Sequence, residues 1–196
     1  PDGVDLCAEH CDVYLMWPET EQKLQGLMND MTNRASDYQR SVQFGLRMHV
    51  IVRETEKEAR AYANNLLSKL DLDLGKDIRK RAQDAASLGV ARQAMLREEA
   101  DNQHYVEPNL WTGIGLARSG CGAAIVGDPV QVLAKINRYM DMGIRSFIFS
   151  GYPHHQECEL FAKYVLPHIK TVSLPEVFGR RPKKTPNSPL GNGFRK

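Results

Sequence analysis

The densest apolar run in the chain, residues 44–53, reads F-G-L-R-M-H-V-I-V-R and separates two faces. In a strand, Phe44, Leu46, Met48, Val50 and Val52 share one side, and Gly45, Arg47, His49 and Ile51 the other. The first side is wholly apolar. The second sets a permanent cation and an imidazole two residues apart in a stretch hydrophobic enough to be buried. Charge is costly there unless an anion or a polar group meets it.

The same alternation of strand-like and helix-like patterns runs along the chain. Residues 12–17 form a short apolar and aromatic run closed by Pro18, which predicts a strand. Leu24, Leu27, Met28 and Met31 then recur at helical spacing and predict an amphipathic helix over about 19–34. A strand at 42–52 follows. Thr55 stands three residues before Glu58, a capping-box start for a helix to about 70 that buries Ala59, Tyr62, Ala63, Leu66 and Leu67. Residues 71–100 are charged and helix-prone with sparse apolar positions, which reads as an excursion from the core. Residues 109–122 are glycine-rich around one cation, Arg118, and predict a mobile lid loop.

Residues 123–127 predict a short strand, and Asp128-Pro129 supplies an N-cap and first helical position. Val132, Leu133, Ile136 and Met140 continue that helix to Gly143. Residues 145–151 predict a buried strand that exits into Tyr152-Pro153-His154-His155. A last helix over 156–169 packs Leu160, Phe161, Tyr164 and Val165.

Strands alternating with amphipathic helices predict an α/β fold of parallel βα units with helices outside. Four such units are about half of a TIM (β/α)8 barrel, whose complete form needs about 250 residues. The expected organisation is a barrel part over 1–170, with the excursion and lid at 71–122, and a separate tail over 171–196. The first ten residues read as the end of a helix, and the chain as a fragment. No sequence repeat favours a solenoid.

Composition changes this picture little. The chain has 196 residues, 42% hydrophobic and 26% charged, as in ordinary globular proteins. No apolar run is long enough to span a bilayer and no leader pattern opens the chain, so a cytoplasmic protein without membrane contact is expected. Net charge is +2, yet Arg180, Arg181, Lys183, Lys184, Arg195 and Lys196 lie in a Pro- and Gly-rich end without an acidic residue. The folded body is therefore acidic, which argues against a nucleic-acid surface, and the tail is expected to be disordered. Cys7, Cys11, Cys121 and Cys158 form no C-x-x-C pair and read as reduced, mostly buried thiols. His154-His155-x-x-Cys158 lacks a second cluster, so no metal site is expected. The glycines of 113–122 do not fit G-x-G-x-x-G: counted from Gly120, the third position falls on Ile125.

In a parallel βα array the loops at the carboxyl ends of the strands converge on one mouth, where ligands gather. Trp17, Arg47, His49, Arg118, Tyr152 and His154 all map to that end. Arginine offers a fixed fork of donors to a carboxylate, phosphate or sulfonate, and histidine exchanges a proton near neutrality, so the set suits an anionic substrate.

Four stretches together resemble the flavin-dependent alkanesulfonate monooxygenases of the bacterial-luciferase-like barrel group. They are R-M-H-V-I-V-R-E-T at 47–55, N-L-W-T-G-I-G-L-A-R-S-G-C-G at 109–122, V-G-D at 126–128 and S-G-Y-P-H at 150–154; Y-L-M-W at 14–17 resembles that family's Y-L-T-W strand end. The resemblance runs in order over about 6–169 and implies the C-terminal half of the barrel. It implies a two-component enzyme that takes reduced FMN from a separate NAD(P)H-dependent reductase and cleaves a sulfonate with O2 to an aldehyde and sulfite. Dimethyl-sulfone or methanesulfonate oxidation is a variant within the same group, and a truncated non-catalytic partner-binding relative is a second class. Carried over by position, Arg47 meets the sulfonate or the oxygenated flavin and serves proton delivery, and His49 is an acid–base or hydrogen-bonding partner. Tyr152 and His154 line the flavin and substrate pocket, Trp17 is its apolar wall, and Arg118 closes over the flavin. Catalytic roles thus fall to Arg47, His49, Arg118 and Tyr152. The full-length protein is expected to be a homo-oligomer. The family's N-terminal half, with a cysteine on an early strand, has no counterpart here, and Cys121 is not assigned to that role.

Overall fold

The computed structural model describes residues 2–82, 87–117, 121–172 and 179. Helix α1 (Asp2–His10) precedes strand β1 (Val13–Met16), helix α2 (Glu21–Asp37) and strand β2 (Gln43–Val52). Helices α3 (Glu56–Leu67), α4 (Leu72–Ala82) and α5 (Leu88–Glu98) follow. The chain then forms β3 (Tyr105–Glu107), β4 (Leu110–Trp111), α6 (Ile114–Ala117), β5 (Ala124–Gly127), α7 (Pro129–Asp141), β6 (Ile144–Ser150) and α8 (His154–Tyr164). All four expected βα strands form and pair in parallel within one mixed sheet, curled as part of a barrel.

Local chemistry explains the boundaries. Thr55 and Glu58 close a reciprocal capping box on α3, and Asp128 and Gln131 close another on α7 with Pro129 in its first turn. Each box satisfies amides that the helix leaves without partners, a gain of about 1 kcal/mol. The last helix begins at His154 and stops at Tyr164, followed by a 3-10 turn over Leu166–His168. Pro167 has no amide hydrogen to give the Lys163 carbonyl, which ends α8 earlier than the apolar spacing predicts.

Strands β3 and β4 form an antiparallel hairpin that the glycine count of the region hides. Pro108 followed by Asn109 at φ 64 is the pairing a type II turn favours. The excursion is also less detached than its composition suggests, because Leu96 of α5 is fully buried in the main core and Gln93 is buried beside it.

Strand β2 organises the sheet. Its Gln43 and His49 amides donate to the carbonyls of Asp12 (2.9 Å) and Ala123 (3.1 Å). Backbone groups of alternate residues point to one edge, so β1 and β5 share that edge, one at each end, and β6 takes the other. A right-handed crossover that steps backwards along a sheet carries its helix to the opposite face from one that steps forwards. Accordingly Leu24 and Met31 of α2, and Ile136 and Tyr139 of α7, belong with Leu46, Met48 and Val50, whereas Ala59 and Ala63 of α3 belong with Ile51, Trp111 and Val126.

One ionic cluster staples the excursion to the body. Lys135 of α7 is fully buried and donates to Glu21 (2.6 Å) and to Glu107 of the hairpin. Burial pushes the Glu21 carboxyl up, but hydrogen bonds from Lys135 and Arg138 outweigh it and hold the group below its ordinary range.

Among the described residues no helix is long and apolar enough to cross a membrane. None of the four cysteines is in a disulfide; only Cys121 is buried, while Cys158 is exposed and Cys7 and Cys11 are half-buried, so the thiols are more accessible than their sequence context predicts. The tail beyond 172 falls, apart from residue 179, outside the described residues.

Candidate active site

Register fixes which side chains of the central strand look the same way. Leu15 pairs with Gly45, Ile148 with Arg47, and Ser150 with His49. These residues share one face, and a Cβ on Gly45 would lie 3.0 Å from Leu15 and 3.4 Å from Ser146. The glycine lets the neighbouring side chains close over β2 just before Arg47.

His49 is 2% exposed, and its Nδ1 shares a 2.8 Å hydrogen bond with the Ser150 hydroxyl. Its ring lies 5.6 Å from that of Tyr152, and Tyr152 lies 4.7 Å from His154. The Tyr62 hydroxyl of α3 donates to the Tyr152 carbonyl at 2.9 Å, and His154 Nδ1 donates to the Gly151 carbonyl. The strand end is held in turn by an ion pair. Glu157 of α8, 5% exposed, takes two hydrogen bonds from Arg53 at 2.6 and 3.1 Å, and the guanidinium stacks 3.7 Å above the Tyr62 ring. Burial and the Glu157 charge push the Tyr62 phenol up, so it stays a neutral donor. Gly151 has to be glycine in this packing, because a Cβ would fall 2.5 Å from Glu157 Cβ.

Arg47 is half-buried beside His49, and among the described residues no carboxylate pairs with its guanidinium. Its carbonyl accepts from the Cys121 thiol at 3.0 Å. The flanking residues Leu15 and Ile148 are 46% and 49% exposed. An accessible cation framed by apolar side chains, with a buried imidazole two residues on, can hold an oxyanion and have a proton donor or acceptor within reach.

Trp17 is placed differently. It lines a cavity of about 460 Å³ with Tyr14, Leu15, Glu19, Leu88, Arg92 and Gln93. Gln93 bridges this wall to the main site: its Nε2 donates to the Pro18 carbonyl at 2.8 Å, and its Oε1 accepts from the Gly122 amide at 3.1 Å, next to Cys121. His154 lines another cavity, about 420 Å³, with Val50, Phe149, Ser150 and Glu157 where β6 runs into α8. The structure thus brings together His49, Ser150, Tyr152 and His154, keeps Arg47 on the same face as His49, and connects Trp17 to that face through Gln93 and through Leu15, which lines the Trp17 cavity and flanks Arg47. Arg118 lies outside the described residues.

Sequence reasoning missed four supporting residues, Ser150, Tyr62, Gln93 and Glu19. Ser150 stands opposite His49 only through the pairing of β6 with β2. The others also needed the fold, since nothing in their spacing says that α3 and α5 approach the strand ends. Among the described residues no group of three or more His, Cys, Asp or Glu is arranged to hold a metal ion.

Comparison with known proteins adds the following. Residues 1–146 match the family described as luciferase-like monooxygenase. The chain is 57% identical over 195 residues to the sulfoquinovose monooxygenase of Agrobacterium fabrum, covering 100% of the chain and 51% of that protein. It is 60% identical over 168 residues to the sulfoquinovose monooxygenase of Novosphingobium aromaticivorans, covering 86% of the chain and 46% of that protein. The chain spans about half the length of these curated relatives. In fold it is similar to DmoA from Hyphomicrobium sulfonivorans, with TM-score 0.61, 19% identity, and coverage of 96% of this chain and 42% of that one. A long-chain alkane monooxygenase, LadA, gives TM-score 0.60 at 15% identity, with coverage of 98% and 44%.

Proposed function

The chain belongs to the luciferase-like monooxygenase family, and on that premise we propose that it is part of a reduced-flavin-dependent monooxygenase that cleaves the C–S bond of an organosulfonate. The observation that carries this reading is the half-buried Arg47 on the face of β2 that it shares with the buried His49, two residues on. A sulfonate is a permanent anion with three acceptor oxygens, and arginine meets it with a planar fork that stays charged at any working pH.

The substrate favoured is a sugar sulfonate of the sulfoquinovose type, because both named relatives bear that activity in their names. An alkanesulfonate, which the sequence motifs suggest, is the competing substrate. Reduced FMN fits the same face: Leu15 and Ile148 offer apolar surface to a flat ring system, and Tyr152 offers an aromatic edge. When bound, the flavin supplies the activation of O2. The chain's own residues bind and orient. Arg47 fixes the sulfonate or neighbouring anionic oxygen, His49 holds or moves a proton through the nitrogen not engaged with Ser150, and Tyr152 closes the wall beside it. His154 keeps the Gly151–Tyr152 turn in place through its backbone hydrogen bond. The resemblance adds Arg118, which lies outside the described residues, as a second cation for the flavin. A separate NAD(P)H-dependent reductase delivers the reduced flavin, and the assembled enzyme is a homo-oligomer. The test is sulfite release from sulfoquinovose and from octanesulfonate by the intact protein supplied with reduced FMN and O2. Sulfite from the sugar sulfonate supports the reading, and sulfite from neither overturns it.

A further inference from the structure

Two of the thiols stand one helical turn apart. Cys7 lies on α1 and Cys11 just past its end, where the Cys11 amide closes the last turn on the Cys7 carbonyl at 3.0 Å. Residues four apart on a helix share a face, so both side chains leave it in the same direction. Both are half-buried, and Cys7 packs with Val4 against the main core. The two thiols interact directly. Burial pushes the Cys7 thiol up, and its hydrogen bond with Cys11 and the charge Cys11 can carry push it further.

A thiol held in its protonated form is a poor nucleophile, but a soft ion that replaces both protons can bind the pair. The number of donors narrows the choice of ion. Structural zinc takes four ligands, and among the described residues no group of three or more His, Cys, Asp or Glu is arranged to hold a metal. His10, three residues after Cys7, is turned to Glu9 at 3.6 Å. Two sulfurs alone suit an ion satisfied by low coordination, and thiolate selects copper in its +1 state. A disulfide is the competing fate. Its Cβ atoms must approach to about 3.5–4.5 Å, whereas neighbours one helical turn apart keep theirs about 5–6 Å apart, so the bridge requires the end of α1 to open.

A compensating charge is fixed beside the pair. One Cu(I) and two thiols give a bis-thiolate complex of charge −1 and two released protons, and the copper keeps its oxidation state. Arg40, on the turn after α2, donates to the carbonyls of Glu9 and Cys11, the latter at 3.3 Å, and reaches Asp12 at 3.4 Å. Its guanidinium thus sits at the carboxyl end of α1, where carbonyls without helical partners would otherwise oppose a negative complex.

We propose that Cys7 and Cys11 form a two-sulfur site for monovalent copper, which the reaction proposed above does not use. The test gives Cu(I), kept reduced with ascorbate under argon, to the intact flavin-free protein in competition with bathocuproine disulfonate. Cys7→Ser and Cys11→Ser each lose one equivalent of the copper that wild type withdraws from the chelator, with affinity lowered at least about 100-fold. Cys158→Ser, which removes an exposed single thiol, keeps it. A second arm uses wild type alone: iodoacetamide labelling of each cysteine is read by peptide mass spectrometry with and without Cu(I). Copper protects Cys7 and Cys11 together and leaves Cys158 reactive. Copper uptake unchanged in both serine variants overturns the proposal, and so does labelling of Cys7 and Cys11 that copper does not slow. Loss in one of the two variants only also overturns it, since the site then holds a single thiol. Neither arm contains flavin or sulfonate, so failure here leaves the proposed monooxygenase activity untouched.

Discussion

Glu157 and Glu19 are both buried carboxylates placed just beyond the end of a strand, and the protein treats them in opposite ways. Glu157, after β6, receives two hydrogen bonds from Arg53 at the end of β2, and that guanidinium is capped by Tyr62. Glu19, after β1, receives no hydrogen bond from any described residue and is driven toward its neutral form. The difference separates architecture from recognition. A buried charge whose partners are all supplied by the protein fixes geometry, here the turn that holds Tyr152 and His154. A buried polar group left without partners beside a cavity is available to something else.

The largest test of this contrast is Arg53→Ala, which strands the Glu157 charge in the interior. It is expected to cost roughly 3–5 kcal/mol of unfolding free energy in urea titration. Replacing both partners with apolar residues of similar size, Arg53→Met with Glu157→Leu, recovers most of that loss, since the interior then holds no orphaned charge. If the double replacement is no better than the single one, Glu157 has partners beyond Arg53 and the contrast weakens. Gly151→Ala is next in size. It drives a Cβ to 2.5 Å from Glu157 Cβ in a fully packed site, and overpacking of this kind costs about 1–3 kcal/mol.

Glu19 gives the smallest and most diagnostic effect. Its folded-state pKa lies above its unfolded value, so between about 4.5 and about 7 the native state holds a proton that the unfolded chain has lost. Stability therefore falls as pH rises through that window, and the cost of the buried charge is complete above it. Glu19→Gln removes the titration. It is expected to raise Tm by about 2–4 °C at pH 8 and to change it little at pH 5. Parallel wild-type and variant Tm profiles across pH 5–8 would contradict a raised Glu19 pKa.

The framework of the fold was legible because its signals are local. The alternation of residues 44–52, the Thr55–Glu58 box and the Asp128-Pro129 start each fix an element through their own neighbours. The hairpin at Pro108-Asn109 was not read from the sequence, because the glycines that follow its turn made the whole region look like a mobile loop. The candidate site was legible only along the strand that carries it. Arg47 and His49 are visible because a strand puts residues two apart on one face. Their surroundings are not, because the position of β6 on the far edge of β2 brings Ser150 and Tyr152 to His49, and no spacing in the sequence encodes that edge. Trp17 and Glu19 needed α5 in place, from a segment whose sparse apolar residues gave little reason to bring it to the core.

The cation on β2 is proposed to hold the sulfonate for C–S cleavage. The direct measurement is the rate of sulfite formation from sulfoquinovose by the intact protein with reduced FMN and O2, for wild type and for Arg47→Ala, with Tm recorded for both. Sulfite is expected from wild type, with a loss of about 10²–10³-fold in kcat/KM for Arg47→Ala at matched Tm. Wild-type rates retained by a folded Arg47→Ala protein would contradict it.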